Sequence, residues 1–165
     1  MRVVAILLLI TLPIGGCGNG KPTAQSAAGG LWQAQLLGGA GNSSGFSFNT
    51  QFTVGGNGAL SISNFEFLNV DTNVSQNSCF PINGGSVSGS MDLTQNMATN
   101  GVTGTMTFIV TAGGNTLTLN GTSVTGTIVG STLSDGMATG TWSLAGSGTG
   151  GCVNASGSFT MAQTS

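Results

Sequence analysis

"VTGTMTF", residues 102–108, alternates apolar and hydroxyl side chains around a glycine. Four more segments repeat the pattern: "VSGSMDL" (87–93), "VTGTIVG" (124–130), "ATGTWSL" (138–144) and "ASGSFTM" (155–161). Alternation at period two is the pattern of a half-buried strand. In every copy Val or Ala, the glycine and a bulky residue share one face, and Ser or Thr take the other. Gly89, Gly104, Gly126, Gly140 and Gly157 each stand two residues before Met91, Met106, Ile128, Trp142 and Phe159. Pairing in matching register predicts a row of glycines on the apolar face. Such a row lets a sheet coil sharply, or lets a large side chain lie against backbone, and both help to close a small barrel. Interior glycine weakens a strand, so its return at five equivalent places marks a structural need. The separations of 15, 22, 14 and 17 residues are too uneven for a solenoid with a fixed coil length. They suit an antiparallel meander turning at "NG" (100 and 120), "GGN" (113) and "DG" (135).

Outward from the repeats the same period continues. "FSFNTQFTV" (46–54) places Phe46, Phe48, Phe52 and Val54 on one face. "ALSISNFEFLNV" (59–70) holds Leu60 and Ile62 in one phase and Phe65 and Phe67 in the other, which a bulge at Ser63 or Asn64 reconciles. "NTLTLNG" (115–121) reads as one further strand. The expected fold is all-β, a single antiparallel up-and-down barrel or sandwich of about 8–10 strands with no substantial helix. A transmembrane barrel would carry its apolar face outside between aromatic girdles; here the hydroxyl face is the expected exterior.

Composition narrows the function classes. Among 165 residues, 30 are Gly, none is His and only 4% are charged, with a net charge of −2. Gly, Ser, Thr and Asn between short apolar runs suit a turn-rich β domain rather than charge-rich disorder. Arg2 and Lys21 are the only cations, so no basic cluster exists to neutralise nucleic-acid phosphates.

At the N-terminus Arg2 is followed by the apolar run "VVAILLLITLPI" (3–14), the length of a signal-peptide core and too short to span a bilayer. The run Leu12-Pro13-Ile14-Gly15-Gly16-Cys17 resembles the lipobox of bacterial lipoproteins, with an aliphatic residue three before the Cys and small residues beside it. The resemblance implies cleavage before Cys17, diacylation of its sulfur and acylation of the new amino group. Two or three acyl chains anchor a protein stably without a spanning helix. Gly18, in place of an Asp, favours the outer membrane. Hence residues 1–16 are expected to be a signal peptide, 17–30 the lipidated Cys with a flexible tether, and 31–165 the β domain.

Cys79 and Cys152 are expected partners in an oxidising envelope, the alternative being two free buried thiols. In the chain-entropy model their bond contributes roughly 4 kcal/mol.

Catalytic patterns fail on chemistry. "GNSSG" (41–45) matches a serine-hydrolase elbow, but the chain has no His to act as base. "GSGTGG" (146–151) matches a dinucleotide-binding glycine pattern, but a Cys and an expected strand follow it instead of a helix. Glu66, Asp71, Asp92 and Asp135, the only carboxylates, lie in different elements, which argues against a glycosidase pair or a calcium cage. No enzymatic activity, cofactor or metal is expected.

The opening "GLWQAQL" (30–36), with Trp32 on the first strand, resembles that of calycin barrels, which hold small apolar ligands. Two expectations follow. One is a structural or protein-interaction module using sheet edges or the Ser/Thr face. The other is a lipocalin-like carrier whose interior presents Trp32, Trp142, Phe108 and Phe159 to a small apolar ligand. A weaker third is an ice- or glycan-binding surface of hydroxyl rows, for which the glycine-driven curvature is unsuited.

Overall fold

A computed structural model describes residues 23–38, 46–68, 85–148 and 153–164. Cys17, Cys79 and Cys152, and with them the lipidation and disulfide expectations, lie outside these residues, as do "GNSSG" and Asp71. The described chain comprises a one-turn helix, α1 (Ala24–Ala27), and eight strands: β1 (Gly30–Gly38), β2 (Phe46–Val54), β3 (Leu60–Leu68), β4 (Ser86–Gln95), β5 (Gly101–Ala112), β6 (Asn115–Val129), β7 (Thr132–Ala145) and β8 (Ala155–Thr164).

The strands form one antiparallel sheet in the order β3-β2-β1-β8-β7-β6-β5-β4. Every neighbour is next in sequence except β1 and β8, which close the ring by pairing from Leu31↔Thr164 to Gly38↔Gly157. Between the remaining edges, β3 and β4, the described residues share one bridge, Ala59↔Ser90, beside which the Met91 N–H donates to the Gly58 carbonyl at 2.8 Å. The result is a nearly closed up-and-down barrel.

Period-two patterning decides which face closes inward. On β5, Val102, Met106, Phe108 and Val110 are buried while Thr103, Thr105 and Thr111 are exposed. On β7 and β8, Ala138, Trp142, Phe159 and Met161 are buried and Thr141, Ser143, Ser156 and Ser158 face out. The hydroxyl face is the exterior, as the sequence predicts. The phase change in β3 is also confirmed: Gln51 pairs with Asn64 and Phe52 with Ile62, leaving Ser63 as the bulged residue.

The glycines do not form a row. Antiparallel neighbours run the repeat in opposite directions, so a glycine meets the bulky residue of the next strand. Gly140 lies opposite Phe159 while Trp142 lies opposite Gly157, and Gly89 lies opposite Phe108 while Gly104 lies opposite Leu93. The close approach at Gly157 shows what this achieves. The Trp142 indole crosses over β8 and donates from Nε1 to the Leu37 carbonyl on β1 at 2.9 Å, passing 2.7 Å from where a Gly157 Cβ would sit.

Three local expectations are corrected. "NTLTLNG" and "VTGTIV" are one 15-residue strand, β6, bent where Gly121 pairs with Gly140 and Ser123 with Thr139, so Asn120-Gly121 is not a turn. Asp135-Gly136 is a bulge inside β7, with Asp135 at φ 53°, and the chain reverses at Gly130 instead, φ 64°. Residues 23–30, expected to be tether, pack on the barrel: Ala24, Ala27 and Ala28 are buried. Thr23 caps α1 by accepting from the Ser26 N–H at 3.4 Å. Gln25 donates to the Leu93 carbonyl at 3.1 Å, and Gln163 to the Gly29 carbonyl at 2.8 Å.

The helix plugs one end of the barrel, touching β2, β4 and β7. At this capped end lie the entry of the chain into β1, the 55–59 hairpin, the 96–100 loop, the 130–131 turn and the end of β8. At the opposite rim Gly38, Leu68, Gly85, Gly148 and Val153 flank the segments 39–45, 69–84 and 149–152.

Candidate functional site

The four residues expected to face a ligand all point into the barrel and are buried. Trp32 on β1 stacks on Phe52 of β2 with ring centroids 5.9 Å apart and planes at 16°. Its Nε1 donates to the Ala28 carbonyl of the plug at 3.0 Å. Trp142 is held by Leu37 as described, and Phe159 lies between Gly140 and Leu36. Phe108 stacks on Phe48 at 5.4 Å and 15°. Both indole N–H groups are satisfied by backbone, and all four rings sit among other core side chains. These residues are brought together as core.

The sequence reading missed the set of residues along the seam between β3 and β4. Phe65 lies 5.0 Å from Phe48, 4.9 Å from Phe67 and 6.0 Å from Phe108. Leu60, Ile62, Phe65 and Phe67 from β3 and Val87 from β4 are only partly buried while packing on the core. The cause is topological. The six strands between β3 and β4 in the sheet each have a paired strand on both sides, whereas β3 and β4 themselves, among the described residues, share only the Ala59↔Ser90 bridge. Leu60 reaches across it, with Cδ1 2.9 Å from where a Gly89 Cβ would stand. The phase switch at Ser63 marks this strand in the sequence, but period alone does not say which strand lies at an edge.

Among the described residues no polar chemistry gathers at the seam. Glu66, Asp92 and Asp135 stand exposed on β3, β4 and β7, and among the described residues no three acidic, thiol or imidazole side chains come together. After the "GSGTGG" segment the next described element is β8, a strand, so among the described residues no helix N-terminus follows it to take a pyrophosphate. Among the described residues no helix is long and apolar enough to cross a membrane. What the seam offers is an apolar wall of Phe and aliphatic side chains between two strand edges.

Comparison with known proteins finds no matching family model, no similar curated protein and no similar solved structure.

Proposed function

We propose that this chain is a lipid-anchored protein of the bacterial envelope, a non-enzymatic structural or protein-interaction module. The observation that carries the reading is the filled interior: Trp32, Phe48, Phe52, Phe108, Phe159, Leu36, Met91, Leu117, Leu119 and Met161 are all fully buried on the inner face. Reciprocal pairing of glycine with bulky residues is how a small barrel closes its own core, and a core packed by its own side chains leaves interaction to the outside. The lipobox at Cys17 supplies the anchor, and the absence of His with only scattered carboxylates argues against catalysis. Strand edges are established sites of partner binding through main-chain hydrogen bonds, and β3 and β4 are the sheet's edges among the described residues.

The half-buried row Ile62, Phe65, Phe67 and Val87 favours a second reading, a carrier that takes a small apolar ligand through the seam. Titrating the protein with long-chain fatty acids or an apolar dye separates the two, since Trp32 and Trp142 sit in the core and report on it. The module predicts no saturable change in tryptophan emission. Saturable micromolar quenching, weakened by Phe65→Ala, establishes the carrier instead.

A disulfide between Cys79 and Cys152 is part of the proposal. Their segments leave the same rim, between Leu68 and Gly85 and between Gly148 and Val153. The non-reduced protein should weigh two hydrogens less than the reduced one by mass measurement; two alkylatable thiols in the unfolded, unreduced chain rule the bond out.

A further inference from the structure

Among the described residues six large apolar side chains are exposed, and four of them, Leu31, Met97, Val129 and Met137, lie at or near the capped end. Apolar residues exposed singly are ordinary; their grouping at this rim is informative because of where the chain enters. From Cys17 to Thr23 is six residues (23 − 17). A chain of that length reaches no more than about 20 Å even at full extension. An anchored Cys17 therefore holds the capped end against the bilayer.

The two most exposed of the four stand on loops braced against each other. Met97 lies in the 96–100 loop, whose turn is fixed by Asn96 Oδ1 accepting from the Ala98 N–H at 2.9 Å and the Thr99 N–H at 3.3 Å. Val129 ends β6, where Thr132 Oγ1 donates to its carbonyl at 3.2 Å. The Ile128 N–H donates to the Asn100 carbonyl at 2.9 Å and ties the loops together. Leu31 and Met137 lie to one side of them, on the outer faces of β1 and β7. Around this rim the loops are mostly Gly, Asn, Ser and Thr, and among the described residues its charged groups are Asp135 and Asp92, each on the outer face a few residues inside its strand's end. Seating it among lipid headgroups therefore removes little charge from water.

We infer that the capped end is a membrane-docking surface: Met97 and Val129 insert at the headgroup–acyl boundary of the bilayer that holds the Cys17 anchor, and the opposite rim points away from it. The inference rests on the lipid-anchor reading for its geometry, and its test keeps the two apart.

The mature acylated protein is reconstituted into vesicles of phosphatidylethanolamine and phosphatidylglycerol that contain a phosphatidylcholine brominated near the headgroup end of its chain. Single variants Met97→Trp and Val129→Trp probe the capped end; Leu37→Trp and Val153→Trp, at exposed positions of the opposite rim, are controls. The buried native tryptophans give a constant background. Blue-shifted emission from Trp at 97 and 129, lost to the brominated lipid, with none lost at 37 and 153, is the expected result. Equal loss at both rims, or no loss at 97 and 129, overturns the docking. Flotation of wild type beside Cys17→Ser reads the anchor separately. If both forms float alike, the anchor reading fails and the quenching pattern still decides the docking; if neither floats, both readings fail.

Discussion

On the arc from β4 to β8 each strand carries a glycine on its inner face two residues from a bulky side chain, whereas on β1 to β3 the described inner face holds Trp32, Ala34, Leu36, Phe48, Thr50, Phe52, Ile62, Phe65 and Phe67, with glycine only at the two ends of β1, Gly30 and Gly38. The first arc gains curvature. Where a Gly104 or Gly140 Cβ would stand, the neighbouring strand's carbonyl, from Asp92 or Asn120, already occupies the space. The second arc supplies volume: its rings fill the lumen that coiling of the first encloses, with Phe48 stacked on Phe108 across the interior. One arc tolerates no added atom, and the other depends on atoms that are present. The two meet by full pairing at β1 and β8 and, among the described residues, by one bridge at β3 and β4.

The largest expected effect lies in the glycine arc. A Cβ on Gly140 overlaps the Asn120 carbonyl and would stand 2.9 Å from the Gly121 Cα. These are backbone atoms that cannot rotate away, so β6 and β7 must part. Gly140→Val should cost about 4 kcal/mol or more, beyond ordinary overpacking, read as a shift in the urea unfolding midpoint. A loss under about 1 kcal/mol, the size of a surface effect, would show that the glycine is dispensable and the arc's account wrong.

In the aromatic arc the matching test is deletion. Phe48 contacts Phe65, Phe67 and Phe108. Phe48→Ala should cost about 3–4 kcal/mol, the lower part of the range for a buried Phe, because the neighbouring rings at the seam have room to relax. Should Phe48→Ala cost more than Gly140→Val, lost volume would outweigh lost curvature.

The difference between the arcs also explains what the sequence could tell. Phase along each strand, the Ser63 bulge and the outward hydroxyls were readable because alternation is local. The partners of the glycines were not, because matching register treats neighbours as parallel copies, while antiparallel neighbours reverse the repeat. Asn120-Gly121 and Asp135-Gly136 were misread for a related reason: turn-forming residues also suit bulges, as Asp135 at φ 53° does within β7. The plug was missed although Thr23, an Ala-rich stretch and Gly29-Gly30 are helix start and stop signals, because four residues show no periodicity. The seam became visible only once the strand order was known.

The smallest effect gives the sharpest contrast, since one substitution, Thr→Val, meets opposite faces in the two arcs. Thr50 is in phase with Phe48 and Phe52, fully buried, and its Oγ1 donates to the Asn64 carbonyl at 3.0 Å beside the Ser63 bulge. Thr50→Val keeps the shape but strands that carbonyl at a place where the ladder is already interrupted, and should cost about 1–2 kcal/mol. Thr103 stands exposed on β5 between Thr94 and Thr125. There a valine keeps the β-branched shape and forfeits only hydration, so stability should change by no more than about 0.5 kcal/mol. Both are measured by the same urea midpoint against wild type. Equal losses at the two positions would mean that inside and outside are not distinguished as the strand pattern requires; a larger loss at Thr103 would mean that the hydroxyl face is itself packed against something.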